Sequence, residues 1–242
     1  MALAADENDI SAQRTWYGEE RAKLAIANFE KRRINARYAA NQREALAAIL
    51  EMIPAGASVS RADSMTLDQL DVWNELRKRK QNTIRWAQEK DDQGNDLMPD
   101  LEDRKKLQRE ALLADVFLTG SNAVTLDGKL VNTDGFGNRV APMIFGPKKV
   151  IVVAGVNKIV KDVNEALVRI REMCAPLNAR RHFEKHHRPW YGSLPCVQSA
   201  TCTDYNCEHE RKICNITVVI EGNSMHQEGR MNVVLVGEDL GI

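Results

Sequence analysis

Two loops rich in small and polar residues hold the groups best suited to chemistry. Thr119-Gly120-Ser121-Asn122-Ala123 follows a short apolar run, and Asn132-Thr133-Asp134-Gly135-Phe136-Gly137-Asn138-Arg139 comes soon after it. Glycine lets the backbone approach a ligand, and free loop amides bind anionic oxygens, a common use of loops beyond the carboxyl ends of parallel strands. Arg139 has the planar fork that grips a carboxylate or phosphate bidentately, while Asp134 can act as an acceptor, a base or the orienter of a neighbour. Taken singly, each Gly, Asn or Asp need only make a turn. Two such clusters within about twenty residues favour one shared pocket. The ligand-binding set expected from them is Gly120, Ser121, Asn122, Asp134, Gly135, Gly137, Asn138 and Arg139.

Cys196, Cys202, Cys207 and Cys214 are a second constellation, separated by five, four and six residues. Four thiolates are what a closed tetrahedral zinc or iron-sulfur site needs. No pair forms a C-x-x-C knuckle, however, and the spacing is not that of a ferredoxin run. Metal ligands, free thiols and a redox-formed disulfide all stay open, with His209 as a bystander or a fourth ligand. Cys174 reads as a small core residue. The basic stretch Arg180 to Arg188, with His182, His186 and His187, could attract an anion or an acidic partner but reads best as a solvated linker. Trp73, Trp86 and Trp190 read as core or interface anchors. No nucleophile triad, P-loop or dinucleotide fingerprint is present.

The elements that must position these groups follow from periodicity. Trp16 to Arg33 predicts a largely exposed helix, Ile34 to Ala39 a connecting strand, and Asn41 with Glu44 a capped helix ending before Pro54. Ala57 to Ser60 predicts a short strand, Arg61 to Ser64 a turn, and Thr66 the opening of a helix. Asn82 to Trp86 predicts a strand, followed by a charged, mobile loop over Glu89 to Asp100, with Asp100 capping a helix to about Ala114. Val116 to Thr119 and Lys149 to Ala154 read as strands buried on both faces, typical of a parallel sheet covered by helices. Asp127-Gly128 predicts a hairpin with both turn residues at positive φ. Asp162 with Glu165 starts a helix that Pro176 interrupts, and Ile216 to Ile220 and Met231 to Val236 read as closing strands. Alternation of strands and helices predicts an α/β fold.

Bulk properties narrow the function classes. With 34 Lys plus Arg against 34 Asp plus Glu, the field of the whole chain attracts neither nucleic acid nor an anionic membrane. The acidic N-terminus is unlike a secretory signal, and no apolar run approaches the roughly 18 residues of a membrane span. A cytoplasmic location with reduced cysteines is expected.

The two loops belong to a longer ordered series. Gly120-Ser121-Asn122-Ala123-Val124-Thr125, Asp127-Gly128, Asn132, Asp134-Gly135 and Gly137-Asn138-Arg139-Val140-Ala141 are followed by Phe145-Gly146-Pro147-Lys148-Lys149-Val150 and Gly155-Val156-Asn157-Lys158-Ile159-Val160. From about Phe29 onward this series closely resembles the lactate-utilization (LUD) domain family. The resemblance implies a fold like the NagB, ribose-5-phosphate isomerase and CoA-transferase group, and places Lys158 among the site residues. It also implies a role beside iron-sulfur oxidoreductase subunits in oxidising L-lactate. On this reading residues 1–40 form an N-terminal helical segment and 41–242 the α/β domain, with a cysteine-bearing segment at 195–215. One departure stands out. Where related sequences carry a glycine pair, this chain has Ser60-Arg61-Ala62-Asp63-Ser64-Met65-Thr66-Leu67, so side chains block close approach of a phosphate. Ser64 and Thr66 either offer hydroxyls to the ligand or cap the next helix.

The leading expectation is a protein that binds a small anionic metabolite or nucleotide-like cofactor and works with oxidoreductase partners in hydroxy-acid utilization. The alternatives are a non-catalytic metal-binding assembly module, or an autonomous isomerase or transferase acting on a phosphosugar or acyl-CoA. A homo-oligomer is left open.

Overall fold

The computed structural model describes residues 8–85, 100–185 and 188–242. The loop expected to be mobile lies outside these residues except for Asp100, and so does Trp86. In the first half α1 (Ser11–Lys31), β1 (Asn35–Ala39), α2 (Gln42–Glu51), β2 (Ser58–Arg61), α3 (Met65–Gln69), α4 (Val72–Arg79) and β3 (Thr83–Arg85) follow one another. Next come α5 (Leu101–Glu110), β4 (Val116–Gly120), β5 (Ala123–Thr125), β6 (Leu130–Asp134), α6 (Val140–Ile144) and β7 (Lys149–Gly155). The chain ends with β8 (Ile159–Val160), α7 (Val163–Arg169), α8 (Ala175–Lys185), α9 (Pro195–Ser199), β9 (Ile216–Ile220) and β10 (Met231–Val236).

Six strands form an all-parallel sheet in the order β1-β10-β7-β4-β2-β3. Its continuous apolar runs are explained by cover on both faces. Ile151 and Val153 of β7 point into a core shared with Ile49, Leu67, Trp73 and Leu76 of α2 to α4. Val150, Val152 and Ala154 point the other way, onto Ala22, Ala25 and Phe29 of α1 and Val124 and Leu130 of a second sheet. The stripe that α1 buries is Gly18, Ala22, Ala25 and Phe29. These are mostly small side chains that let the helix lie close, whereas Leu24 faces solvent.

The second sheet, β8-β5-β6-β9, is mixed, so β9 closes this sheet rather than the main one. Its β5–β6 hairpin forms around Asp127-Gly128 as expected, but only Gly128 has positive φ (80°). Thr125 N–H donates to the Lys129 carbonyl and Gly128 N–H to that of Thr125. The loop is therefore three residues long, with glycine alone in the left-handed position.

The helix starts follow the sequence. Asn41 Oδ1 accepts from Glu44 N–H at 3.0 Å while Glu44 accepts from Ala40 N–H, and Asp100 and Asp162 cap α5 and α7. Pro176 does not interrupt the later helix. A π turn over Ile170–Cys174, in which Ala175 N–H reaches back to the Ile170 carbonyl, makes room for the ring, and α8 continues. As a result residues 180–185 of the basic stretch are helical rather than a linker, while His186 and His187 lie outside the described residues.

Candidate functional site

Beyond the carboxyl ends of β2, β4, β6 and β7 lies a cavity of about 680 Å³. Ser64, Thr66, Gly120, Ser121, Asn122, Asp134, Gly135, Gly137, Asn138, Arg139 and Lys158 all line it. Position at the ends of parallel strands is the usual place for a ligand in such a sheet.

Asparagines join the two loops. Asn122 N–H donates to Asn132 Oδ1 (3.2 Å), Asn122 Oδ1 accepts from Thr133 N–H (2.9 Å), and Asn132 Nδ2 donates to Ser121 Oγ (3.1 Å). Arg139 adds a third tie, with Nη1 donating to Asn132 Oδ1 at 2.5 Å and Nη2 to Asn122 Oδ1 and the Thr133 carbonyl at 2.9 and 2.6 Å. Its fork is thus engaged by neutral oxygens of the loops, and Arg139 contributes to the cavity chiefly as a charge. Asp134 accepts backbone N–H bonds from Gly135, Arg139 and Val140, which makes it the fixing point of its own loop.

On the opposite wall, Ser64 caps α3, accepting from Leu67 N–H. Gly120 lies so close that an added Cβ would stand 2.9 Å from Ser64 Oγ, which explains a glycine at the end of β4. Side chains of the Ser60 to Leu67 stretch cross-brace this loop. Arg61, with its side chain only 1% exposed, ion-pairs with Asp68 at 2.6 Å and donates to the Ala62 and Ser64 carbonyls. Asp63 pairs with Arg181 of α8, also at 2.6 Å.

Burial pushes the Asp63 carboxyl up, but Arg181, with lesser help from His182 and Arg61, outweighs it and holds the group below the usual carboxylate range. A depressed carboxylate stabilises the fold above its unfolded value of about 3.9, and that stability is lost as pH falls through the folded value. Asp63→Asn is therefore expected to cost roughly 1–3 kcal/mol at neutral pH, the worth of a charge-assisted hydrogen bond. It should also flatten the acid side of the melting-temperature profile. Identical profiles for variant and parent would show that this pair does not anchor α8.

Lys158 enters from the turn after β7 and is 4% exposed. Its Nζ donates to Thr66 Oγ1 at 2.9 Å. Burial first, and then the Arg169 and Arg139 charges, push the ammonium down to about 8. Arg169 Nη1 donates to the Asn122 carbonyl (2.7 Å) and contacts Cys174 Sγ (2.6 Å), while its Nη2 is buried without a hydrogen-bond partner among the described residues. Burial raises the Cys174 thiol. Among the described residues none of Arg139, Lys158 and Arg169 has a carboxylate at ion-pair distance. Arg169 escapes a reading by sequence alone, and the sequence reads Arg181 and His182 best as part of a solvated linker, because only the fold brings α7 and α8 against the loops.

The four candidate metal ligands, Cys196, Cys202, Cys207 and Cys214, form no disulfide and together line a second, largely apolar cavity of about 30 Å³. Among the described residues no group of three or more His, Cys, Asp or Glu side chains is arranged to hold a metal ion. His209 faces Ser193 Oγ instead. The segment docks on the helical junction, where Arg171 stacks on Tyr205, and Ile213 and Cys214 reach the wall of the main cavity as well. Among the described residues no helix is long and apolar enough to cross a membrane.

Residues 22–236 match the LUD domain. The chain belongs to the LUD domain family. The LUD match takes in every element from within α1 to the end of β10, and so both loops and the cysteine segment. A DUF162 family protein of Deinococcus radiodurans is similar at 13% identity over 92% of this chain and 98% of its own, with a TM-score of 0.47. A cysteine desulfurase of Thermococcus onnurineus NA1 is similar at 17% identity over 63% of this chain and 36% of its own (TM-score 0.33). For eIF2B delta of Chaetomium thermophilum the values are 16%, 63%, 54% and 0.31. No curated protein matches the chain.

Proposed function

We propose that this LUD protein binds a small anionic metabolite, or a nucleotide-like cofactor through its anionic groups, in the cavity between the Gly120 and Gly135 loops. Its place is beside iron-sulfur oxidoreductase subunits in lactate or related hydroxy-acid utilization. The observation that carries the binding role is that Arg139 and Lys158 line one cavity without a carboxylate in direct contact, with Arg169 bonded behind the lining residues Asn122 and Cys174. Buried charge is costly unless it is matched, and an anionic ligand supplies the match. The partner role rests on family membership.

A thermal-shift screen of oxalate, pyruvate, phosphate, nucleotides and CoA esters tests the binding role. A ligand at a hundred times its Kd should add about 2.7 kcal/mol of stability. Because the Lys158 charge is lost as pH rises through about 8, the shift should shrink between pH 7 and 9.5. Failure of every anion to raise the melting temperature at pH 7 would sink the proposal. Co-purification with iron-sulfur subunits tests the partner role separately.

A further inference from the structure

We propose that Lys158 is an imine-forming amine that captures the carbonyl group of an anionic ligand, which names a small 2-oxo acid as the ligand class. The inference rests on the anion-binding reading above and adds covalent chemistry to it.

Three observations converge on this lysine. First, Lys158 is buried yet is one of the residues that line the cavity, so it is desolvated while standing next to the ligand space. Packing of the C-terminal backbone enforces this, since a Cβ on Gly241 would stand 2.9 Å from Nζ and 2.5 Å from Thr66 Oγ1. Second, its hydrogen-bond partner among the described residues is a neutral hydroxyl, that of Thr66. Third, the charged groups acting on it are Arg169 from α7 and Arg139 from the second loop, with the Cys174 thiol opposing them. Desolvation and neighbouring cations are the two means by which proteins keep a lysine amine neutral and nucleophilic near physiological pH. Arg139 lines the same cavity, and its positive charge suits the carboxylate that sits one bond from the carbonyl of a 2-oxo acid.

The step balances without an oxidant. The neutral amine attacks the carbonyl carbon, the oxygen takes a proton to give the carbinolamine, and water leaves as the C=N bond forms. Thr66 Oγ1, at 2.9 Å, is placed to hold Nζ in position.

The test is to incubate the protein with pyruvate and cyanoborohydride, then map peptides by mass. The expected result is one adduct on Lys158, heavier by the mass of the acid less one oxygen. It should be suppressed by excess oxalate and absent with acetone in place of pyruvate. Lys158→Arg should lose the adduct. Should that variant not fold, the pH profile of trapping in the parent protein decides. Labelling that rises through about 8 supports the proposal, and labelling that rises only in the ordinary lysine range overturns it. Adducts spread over surface lysines as in the unfolded chain also overturn it. If oxalate raises the melting temperature but no adduct forms, the imine falls and the anion site stands. Absence of both overturns both.

Discussion

Arg139→Met is expected to cost the fold about 3 kcal/mol and to lower the melting temperature by roughly 6–12 °C. The guanidinium donates to Asn122 Oδ1, Asn132 Oδ1 and the Thr133 carbonyl, and removing it leaves these acceptors facing one another in a partly buried space. Arg139→Lys should recover only part of the loss, since a single ammonium cannot span acceptors on two loops. Thermal unfolding of the three proteins checks this. A melting temperature unchanged in Arg139→Met, together with loss of the anion-induced shift, would mean that the arginine serves the ligand rather than the loops.

Lys158→Met should act in the opposite direction on stability. The drop from 10.5 to about 8, at 1.36 kcal/mol per unit, corresponds to a strain on the order of 3 kcal/mol in holding the charge at neutral pH. Methionine removes that strain and forfeits about 1 kcal/mol for the bond to Thr66, so the variant is expected to gain about 2 kcal/mol while losing anion affinity. The sign follows from proton linkage. Between pH 8 and 10.5 the unfolded lysine binds more protons than the folded one, so the parent grows more stable as pH rises. Urea titrations at pH 7 and near 10.5 should show the gap between the two proteins closing. If the variant is instead less stable at pH 7, the lysine is a structural tie.

The strands β4 and β7, the capped helices and the hairpin could be read from the sequence because each is specified within a few neighbouring residues. Clustering of Gly120, Asn122, Asp134 and Arg139 at one cavity was legible for a related reason, since small and polar residues followed strand-like runs twice in close succession. What the sequence concealed depends on partners far away along the chain. Ile216 to Ile220 reads as an apolar run much like Met231 to Val236, and only its pairing with β6 places it in the second sheet. Asp63 finds Arg181 across more than a hundred residues, which turned an apparent linker into a cavity wall. Pro176 misled because a proline's effect depends on the turn before it, and π turns leave no periodic signature. The inward turn of the Arg139 fork was equally hidden, being set by where two asparagines of different strands come together.

That π turn at Ile170–Cys174 also sets rotational phase. In a regular α-helix two residues five apart face directions about 140° different, yet Arg169 Nη1 and Cys174 Sγ meet at 2.6 Å. Every residue after the turn is rotated accordingly, which is how Asn178, Arg181 and His182 come to face the same cavity as Ile170. Deleting one residue within the turn would leave the composition of that wall nearly intact while swinging it to another bearing. The identity of the groups facing the ligand is therefore encoded as much by a single extra residue of helical winding as by the side chains themselves.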